Sequence, residues 1–312
     1  MLVIKYRAIF FTISGLLMAA SIFGFFKYGL NLGIDFTGGS LLEVEYTVDR
    51  PDVETIKNNI ASISSINFGD VSVQPSGERG AIVRLRTIDE NEKQVLKAAM
   101  ANGLTVGTST ASTTAGVLVE KNFTAIGPTI GKELANKGLV AIVIVLLVIL
   151  LFIAFSFRGI SARQGGINGW KYGAIALVAL SHDVIIPTGL FVYLGHFYGT
   201  EIGALFLTAL LAIMGISIAD TIVIFDRIRE NLRRKISNSF EETVGISLNE
   251  TFVRSFNTSM TVILALGSLY YFGEATTKDF ALALISGMIV GTYSSIFIAS
   301  PLLVVWEKIG RK

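Results

Sequence analysis

With 312 residues, 52% of them hydrophobic and only 16% charged, the chain is far more apolar than a soluble domain, in which about a quarter of residues carry charge. It has no cysteine, which excludes disulfides, thiol catalysis and thiolate metal sites. The net charge of +2 gives no argument for nucleic acid, and His182 and His196, the only 2 histidines, have no carboxylate-rich pattern around them that would make a transition-metal site.

Read as an integral membrane protein, the chain opens with Lys5 and Arg7 and then an uncharged run, Ala8 to Phe26. That run is longer than a signal-peptide core and meets Lys27 without a clear small-residue cleavage site, so it reads as a retained spanning helix. From Lys27 to about Gly138 the sequence turns mixed and polar. Leu41 to Tyr46 alternates as a strand, Asp52 to Ile63 reads as a short helix, and Val71–Val73 with Ala81–Arg86 read as a hairpin pair. Glu90 to Ala101 has helical spacing, and a Ser/Thr-rich extended stretch follows from Thr105 to Val119. The order is βαββαβ, an α+β domain of ferredoxin-like type with helices on one face.

Further apolar runs follow at Leu139–Phe157, Tyr172–Leu194, Gly203–Phe225, Asn257–Phe272 and Phe280–Trp306. Each is near the roughly 20 residues needed to cross a bilayer, although Asn257–Phe272 is short unless its helix starts earlier. The expected architecture is therefore six transmembrane helices: residues 1–28 as tail and first helix, 29–138 as the α+β domain, and 139–312 as the remaining helices with their loops. Positive charge collects in the N-terminal tail, around Arg158, Arg163 and Lys171, from Arg227 to Lys235, and at Lys308, Arg311 and Lys312. The opposite short loops hold only Glu201, and Glu274 with Lys278 and Asp279. By the positive-inside rule both termini face the cytoplasm and the α+β domain lies outside.

Asp220 is the residue most in need of a reason. It sits within Gly203–Phe225, where an acidic side chain costs on the order of 3 kcal/mol and is usually kept for ion or proton handling. A plain hydrogen bond to a neighbouring helix is the simpler alternative. Ser217 and Ile216 precede it on the same side, and Gly215 lets another backbone come close. Arg254 lies just before the next apolar run. Across a cytoplasmic hairpin it comes level with Asp220, and such a pair can couple protonation to helix movement. An ordinary arginine at the lipid headgroups fits the sequence equally well. Asp183 follows His182 and precedes Pro187, which cannot donate to the Asp183 carbonyl. Adjacent positions point about 100° apart on a helix, so a His–Asp relay and a simple buried polar contact both stand. Asp226 to Asn231 extends the helix with charges that can pair locally, Asp226 with Arg229 and Glu230 with Arg234. Outside the first run, Gly33, Asp35, Gly38 and Gly39 mark a tight turn, read as a structural hinge in preference to a ligand site.

Four stretches together resemble the SecF family of the SecD/SecF proteins, within the resistance-nodulation-division superfamily. They are Gly33-Ile-Asp-Phe-Thr-Gly-Gly39, Phe123 to Leu134, His182-Asp-Val184, and Ala219 to Asn231. They occur in that family's order and cover nearly the whole chain. The resemblance implies a non-enzymatic subunit of an accessory complex for protein export, located in the bacterial inner membrane. Its implied partners are SecD, the SecYEG channel, membrane lipid and an unfolded translocating polypeptide, with YajC as a further candidate. Protons are the implied coupling ion, with no cofactor. By position, Asp220 and Arg254 match the family's proton-coupling acid and arginine, and Asp183 falls in its His-Asp motif.

Rival readings are a self-contained small-solute or ion transporter and a purely structural assembly factor. The first needs a substrate cavity, whereas six helices with few polar residues read as half of a pseudo-symmetric bundle. An intramembrane protease is disfavoured because Asp183 and Asp220 fall at different depths.

Overall fold

The structure, a computed structural model, describes residues 2–102, 118–158 and 168–310. The expected extended stretch from Thr105, apart from Leu118 and Val119, lies outside the described residues, as do Arg163, Arg311 and Lys312. The chain divides into two compact units, residues 32–137 and residues 1–31 with 138–312. It opens with α1 (Leu2–Lys5) and α2 (Arg7–Tyr28).

In the unit of residues 32–137, a short α3 (Ile34–Thr37) leads into β1 (Gly39–Tyr46), α4 (Val53–Ala61), β2 (Ser72–Ser76), β3 (Gly80–Leu85), α5 (Glu90–Met100) and β4 (Leu118–Ile126). The sheet order is β2-β3-β1-β4 and every neighbouring pair is antiparallel. Period-two alternation in β1 sends Leu42, Val44 and Tyr46 to one face. There they meet Ile56 and Ile60 of α4 and Leu96 and Met100 of α5, all at most 2% exposed. Leu42 stands opposite Val83 on one side and Phe123 on the other. Between Glu43 and Val44 the β4 partner jumps from Asn122 to Glu120, so Lys121 is the extra residue of a bulge. α5 starts at a capping box, in which the Asp89 carboxylate accepts from the Glu92 amide and Glu92 reaches back to the Asp89 amide.

The glycines of the first motif have a packing reason. Gly38 ends α3 at φ 78° and its N–H donates to the Ile34 carbonyl at 2.8 Å. A Cβ there would lie 2.6 Å from Pro128 Cα, and one on Gly39 would lie 2.7 Å from the Leu85 carbonyl oxygen. Only glycine combines that backbone with that closeness.

The remaining helices are α6 (Pro128–Ser156), α7 (Gly169–Tyr198), α8 (Ala204–Arg234), α9 (Phe240–Phe272) and α10 (Ala275–Ser294), followed by a π-turn (Ser295–Ala299) and α11 (Ser300–Gly310). Among the described residues, 5 helices are long and apolar enough to cross a membrane: α2, α6, α7, α8 and the α10–α11 segment. The expected Asn257–Phe272 run is not one of these five. It is the second half of α9, whose first half is polar, capped by Ser239 Oγ accepting from the Glu242 amide at 3.1 Å. That half is helical because its small polar residues Thr243, Ser247, Thr251 and Ser255 are buried. The expected continuous run Phe280–Trp306 is interrupted by the π-turn, a distortion that hydropathy does not register.

Helix contacts in this unit rely on small residues, as expected where lipid removes the hydrophobic drive between helices. On α10, Gly287 faces Ile213 and Gly291 faces Ser217 of α8. At one end, Glu241 of α9 bonds Arg7 at 2.9 Å and Lys308 at 2.6 Å, which gathers the chain's two terminal segments and the start of α9. Arg227 of α8 pairs with Glu250 of α9 at 2.7 Å, and the buried Asn231 donates to Ser247 and Glu250. The local pairs Arg229–Asp226 (3.8 Å) and Arg234–Glu230 (2.6 Å) also form.

Candidate functional site

Two carboxylates in the helical unit occupy different settings. Asp183 on α7 is 0% exposed. Its Oδ2 accepts from Ser217 Oγ of α8 at 2.5 Å and from Ser294 Oγ of α10 at 2.8 Å. Its Oδ1 lies 3.0 Å from His182 Nδ1. Contact between these neighbours runs against the 100° separation expected of them. The imidazole lies alongside the Tyr293 ring (centroids 6.2 Å, 18° between planes), turned so that Nδ1 reaches the adjacent carboxylate. Tyr293 is itself anchored to α2, donating to the Phe10 carbonyl at 3.0 Å. Gly291 makes the closeness possible, since a Cβ there would lie 2.9 Å from Ser217 Cβ and 3.6 Å from Asp183 Oδ2.

Asp220, one turn further along α8, faces a different helix. Ser217 and Asp220 are three residues apart and so about 60° apart around the axis. That offset turns Ser217 towards Asp183 and Asp220 towards α9. Asp220 is partly open, and Ser259 Oγ of α9 donates to its Oδ2 at a long 3.4 Å. Ser259 is also 2.6 Å from Thr292 of α10. Arg254 is exposed on α9 and close enough to act on Asp220 through its charge, while among the described residues no ion pair within 4.0 Å joins them. Ser255, beside Arg254, is buried with its hydroxyl towards Asp220, short of a well-formed hydrogen bond.

The two settings meet on α10 and α8. Thr221 lies 2.7 Å from Ser295, the first residue of the π-turn, and Ser295 donates to the Gly291 carbonyl at 2.9 Å. Ser294 contacts the same carbonyl at 3.0 Å. Hydroxyls from α8, α9 and α10 thus line the space around both acids. Sequence reasoning passed over Ser259, Thr292, Ser294 and Ser295. A signal was present, since Gly291-Thr-Tyr-Ser-Ser295 is an unusually polar stretch inside an apolar run. Gly33, Asp35, Gly38 and Gly39 belong to the other unit and take no part in this cluster.

Comparison with known proteins gives the family. The family described as protein export membrane protein SecD/SecF, C-terminal, matches residues 105–309, and the SecD/SecF GG motif matches residues 23–49. A protein translocase subunit SecF from Thermobaculum terrenum is 40% identical over 98% of this chain and 93% of that protein. Another from Anaerolinea thermophila is 37% identical over 96% of this chain and 92% of its own length. The crystal structure of SecDF, a translocon-associated membrane protein from Thermus thermophilus, superposes with a TM-score of 0.80 at 30% identity, over 98% of this chain. SecDF in its super-membrane-facing form gives 0.64 at 29% identity over 99% of this chain. This chain spans only 38% of either SecDF chain. The near-complete match to SecF relatives, together with both family regions, places this multi-pass membrane chain in the SecD/SecF protein-export family, among its SecF members.

Proposed function

We propose that this chain works as the SecF subunit of an accessory complex of the Sec translocase, paired with SecD, and that it uses inward proton flow to promote protein export through SecYEG. Beyond moving protons it makes and breaks no covalent bond. The observation that carries this reading is the contrast between the two acids. Asp183 is enclosed by three hydrogen-bonding partners, whereas Asp220 is partly open, weakly held by Ser259, and within the electrostatic reach of Arg254. An open acid near an exposed cation is suited to taking up and releasing a proton. Protonation removes its attraction to Arg254 and lets α9 move against α8. The movement is passed to the domain of residues 32–137, which holds the emerging polypeptide.

The same proposal sets six spanning helices in the bacterial cytoplasmic membrane, with both termini on the cytoplasmic side. Support comes from the distribution of Lys and Arg and from Glu241, which ties Arg7 and Lys308 together at one end of the helices. The sheet order β2-β3-β1-β4 with antiparallel pairing supports a ferredoxin-like class for the other unit. The test is copurification with a SecD subunit, followed by export into vesicles carrying the pair. Export that is stimulated by the pair and loses that stimulation when the proton gradient is collapsed supports the reading. Stimulation that survives collapse of the gradient contradicts it.

A further inference from the structure

His182 is a buried group that takes no part in proton exchange at Asp220. It is 2% exposed, its Nδ1 is engaged with Asp183, and its Nε2 is buried with no hydrogen-bond partner among the described residues. Counting protons on the pair narrows what that nitrogen does. With Asp183 ionised and His182 neutral, Nδ1 carries the hydrogen that is donated to Oδ1, and Nε2 is a bare lone pair. The pair then holds one negative charge within the bundle, an expensive state. Adding one proton while Ser217 and Ser294 keep donating to Oδ2 gives a neutral pair in either of two forms. In one, the imidazole is doubly protonated beside a carboxylate. In the other, a carboxylic acid donates to Nδ1. Both forms carry hydrogen on Nε2. A proton on Oδ2 would leave Nε2 bare but would displace a serine bond; while Ser217 and Ser294 both donate to Oδ2, loading the pair converts Nε2 from a lone pair to an N–H.

We infer that His182 and Asp183 form a single proton-holding dyad, distinct from Asp220, and that the proton enters and leaves through His182 Nε2. Water is the chemical class of donor and acceptor for that proton, and the transfer makes and breaks only N–H and O–H bonds. Ser217 and Ser294 hold Asp183 Oδ2, so the carboxylate keeps its place in both states while the imidazole changes. Ser294 sits at the end of α10, against the π-turn, and its hydroxyl is within reach of either Asp183 or the Gly291 carbonyl. The dyad's charge thereby bears on the segment of α10 that also carries Thr292, which contacts Asp220's partner Ser259. Among the described residues, Tyr293 of α10 stacks on the imidazole, and Asp220 of α8 lies one turn beyond Ser217; the charged groups Arg7 and Lys27 of α2, Lys171 of α7 and Asp226 to Arg234 of α8 lie towards the helix ends. From α2, Ser14 Oγ contacts the Tyr293 hydroxyl at 3.4 Å.

This inference rests on the reading of the bundle as a proton-handling device, but its test does not use export. With only 2 histidines in the chain, His196→Gln leaves His182 as the single imidazole, and His196 is exposed at the far end of α7. The full-length chain labelled with ¹⁵N-histidine is purified in detergent, and the ring nitrogen signals are followed from alkaline to acid pH. The expected result is conversion of Nε2 from bare to hydrogen-bearing, lost in Asp183→Asn and retained in Asp220→Asn. Ser294→Ala, which removes one donor without adding bulk, shifts the midpoint of the conversion. An Nε2 that stays in one state at every pH, a conversion unchanged by Asp183→Asn, or a Ser294→Ala midpoint equal to the parent overturns the dyad. Any of these leaves the export test above to be decided separately.

Discussion

Gly291→Ala probes the site through a single methyl group. The added Cβ would lie 2.9 Å from Ser217 Cβ and 3.0 Å from Ser217 Oγ, the hydroxyl that donates to Asp183. Both atoms are near the α8 backbone, so neither can swing away as a long side chain would. The helices must part by several tenths of an ångström, and the Asp183–Ser217 bond lengthens with them. Gly215→Ala on α8 is the matched control, because among the described residues no atom of another element lies within 4 Å of its added Cβ. Both substitutions gain the same helix propensity, about 1 kcal/mol, so that gain cancels in the comparison. What remains is the overpacking cost at Gly291, about 1–3 kcal/mol. Thermal unfolding of the two purified full-length variants in one detergent measures this difference directly. Gly291→Ala is expected to unfold at lower temperature than Gly215→Ala and to lose gradient-driven export. Equal stability and equal export in the two variants would refute the idea that α8 and α10 meet at Gly291 to build the Asp183 site.

Two further outcomes concern the other unit. Leu42→Ala removes a side chain that is 0% exposed beneath α4 and α5, and is expected to cost about 2–5 kcal/mol, whereas Val119→Ala, at 48% exposure, stays within about 0.5 kcal/mol of the parent in chemical unfolding of the full chain. Partial burial pushes the Glu120 carboxyl up, but hydrogen bonds and charge from Lys97 and Lys93 outweigh it and hold the group below its ordinary 4.5. A lowered folded-state value means that the stabilisation is complete above the unfolded carboxylate's range and is lost as the pH falls through the folded one. The stability gap between the parent and Glu120→Gln should therefore be full at neutral pH and close in acid. A gap that is constant with pH removes the ion pairs as its cause.

Much of the fold can be read along the chain because its signals are local. Leu41 to Tyr46 alternates because one face of β1 is covered, and Asp89 with Glu92 announces α5 three residues apart. Long apolar runs gave four helices their centres, but not their ends. α8 runs on through Arg234, and α9 begins at Phe240, far before its apolar part, because its small polar residues pack inward. Hydropathy has no means of marking a buried face made of Ser247, Thr251 and Ser255. The candidate site was half legible. Asp183 and Asp220 stood out as acids in apolar surroundings, but their partners come from helices distant in sequence: Ser294 lies 111 residues from Asp183, and Ser259 lies 39 from Asp220. Only packing joins them. The π-turn at Ser295 and the free Nε2 of His182 have no sequence signature at all.

The central claim is that Asp220 couples proton flow to export. The most direct measurement compares the parent with Asp220→Asn, each paired with a SecD subunit in vesicles, for export with and without an imposed proton gradient. Asparagine keeps an oxygen to accept from Ser259 and cannot be ionised at any working pH. Asp220→Asn is expected to assemble with its partner but to gain nothing from the gradient. An undiminished gradient response in that variant would contradict it.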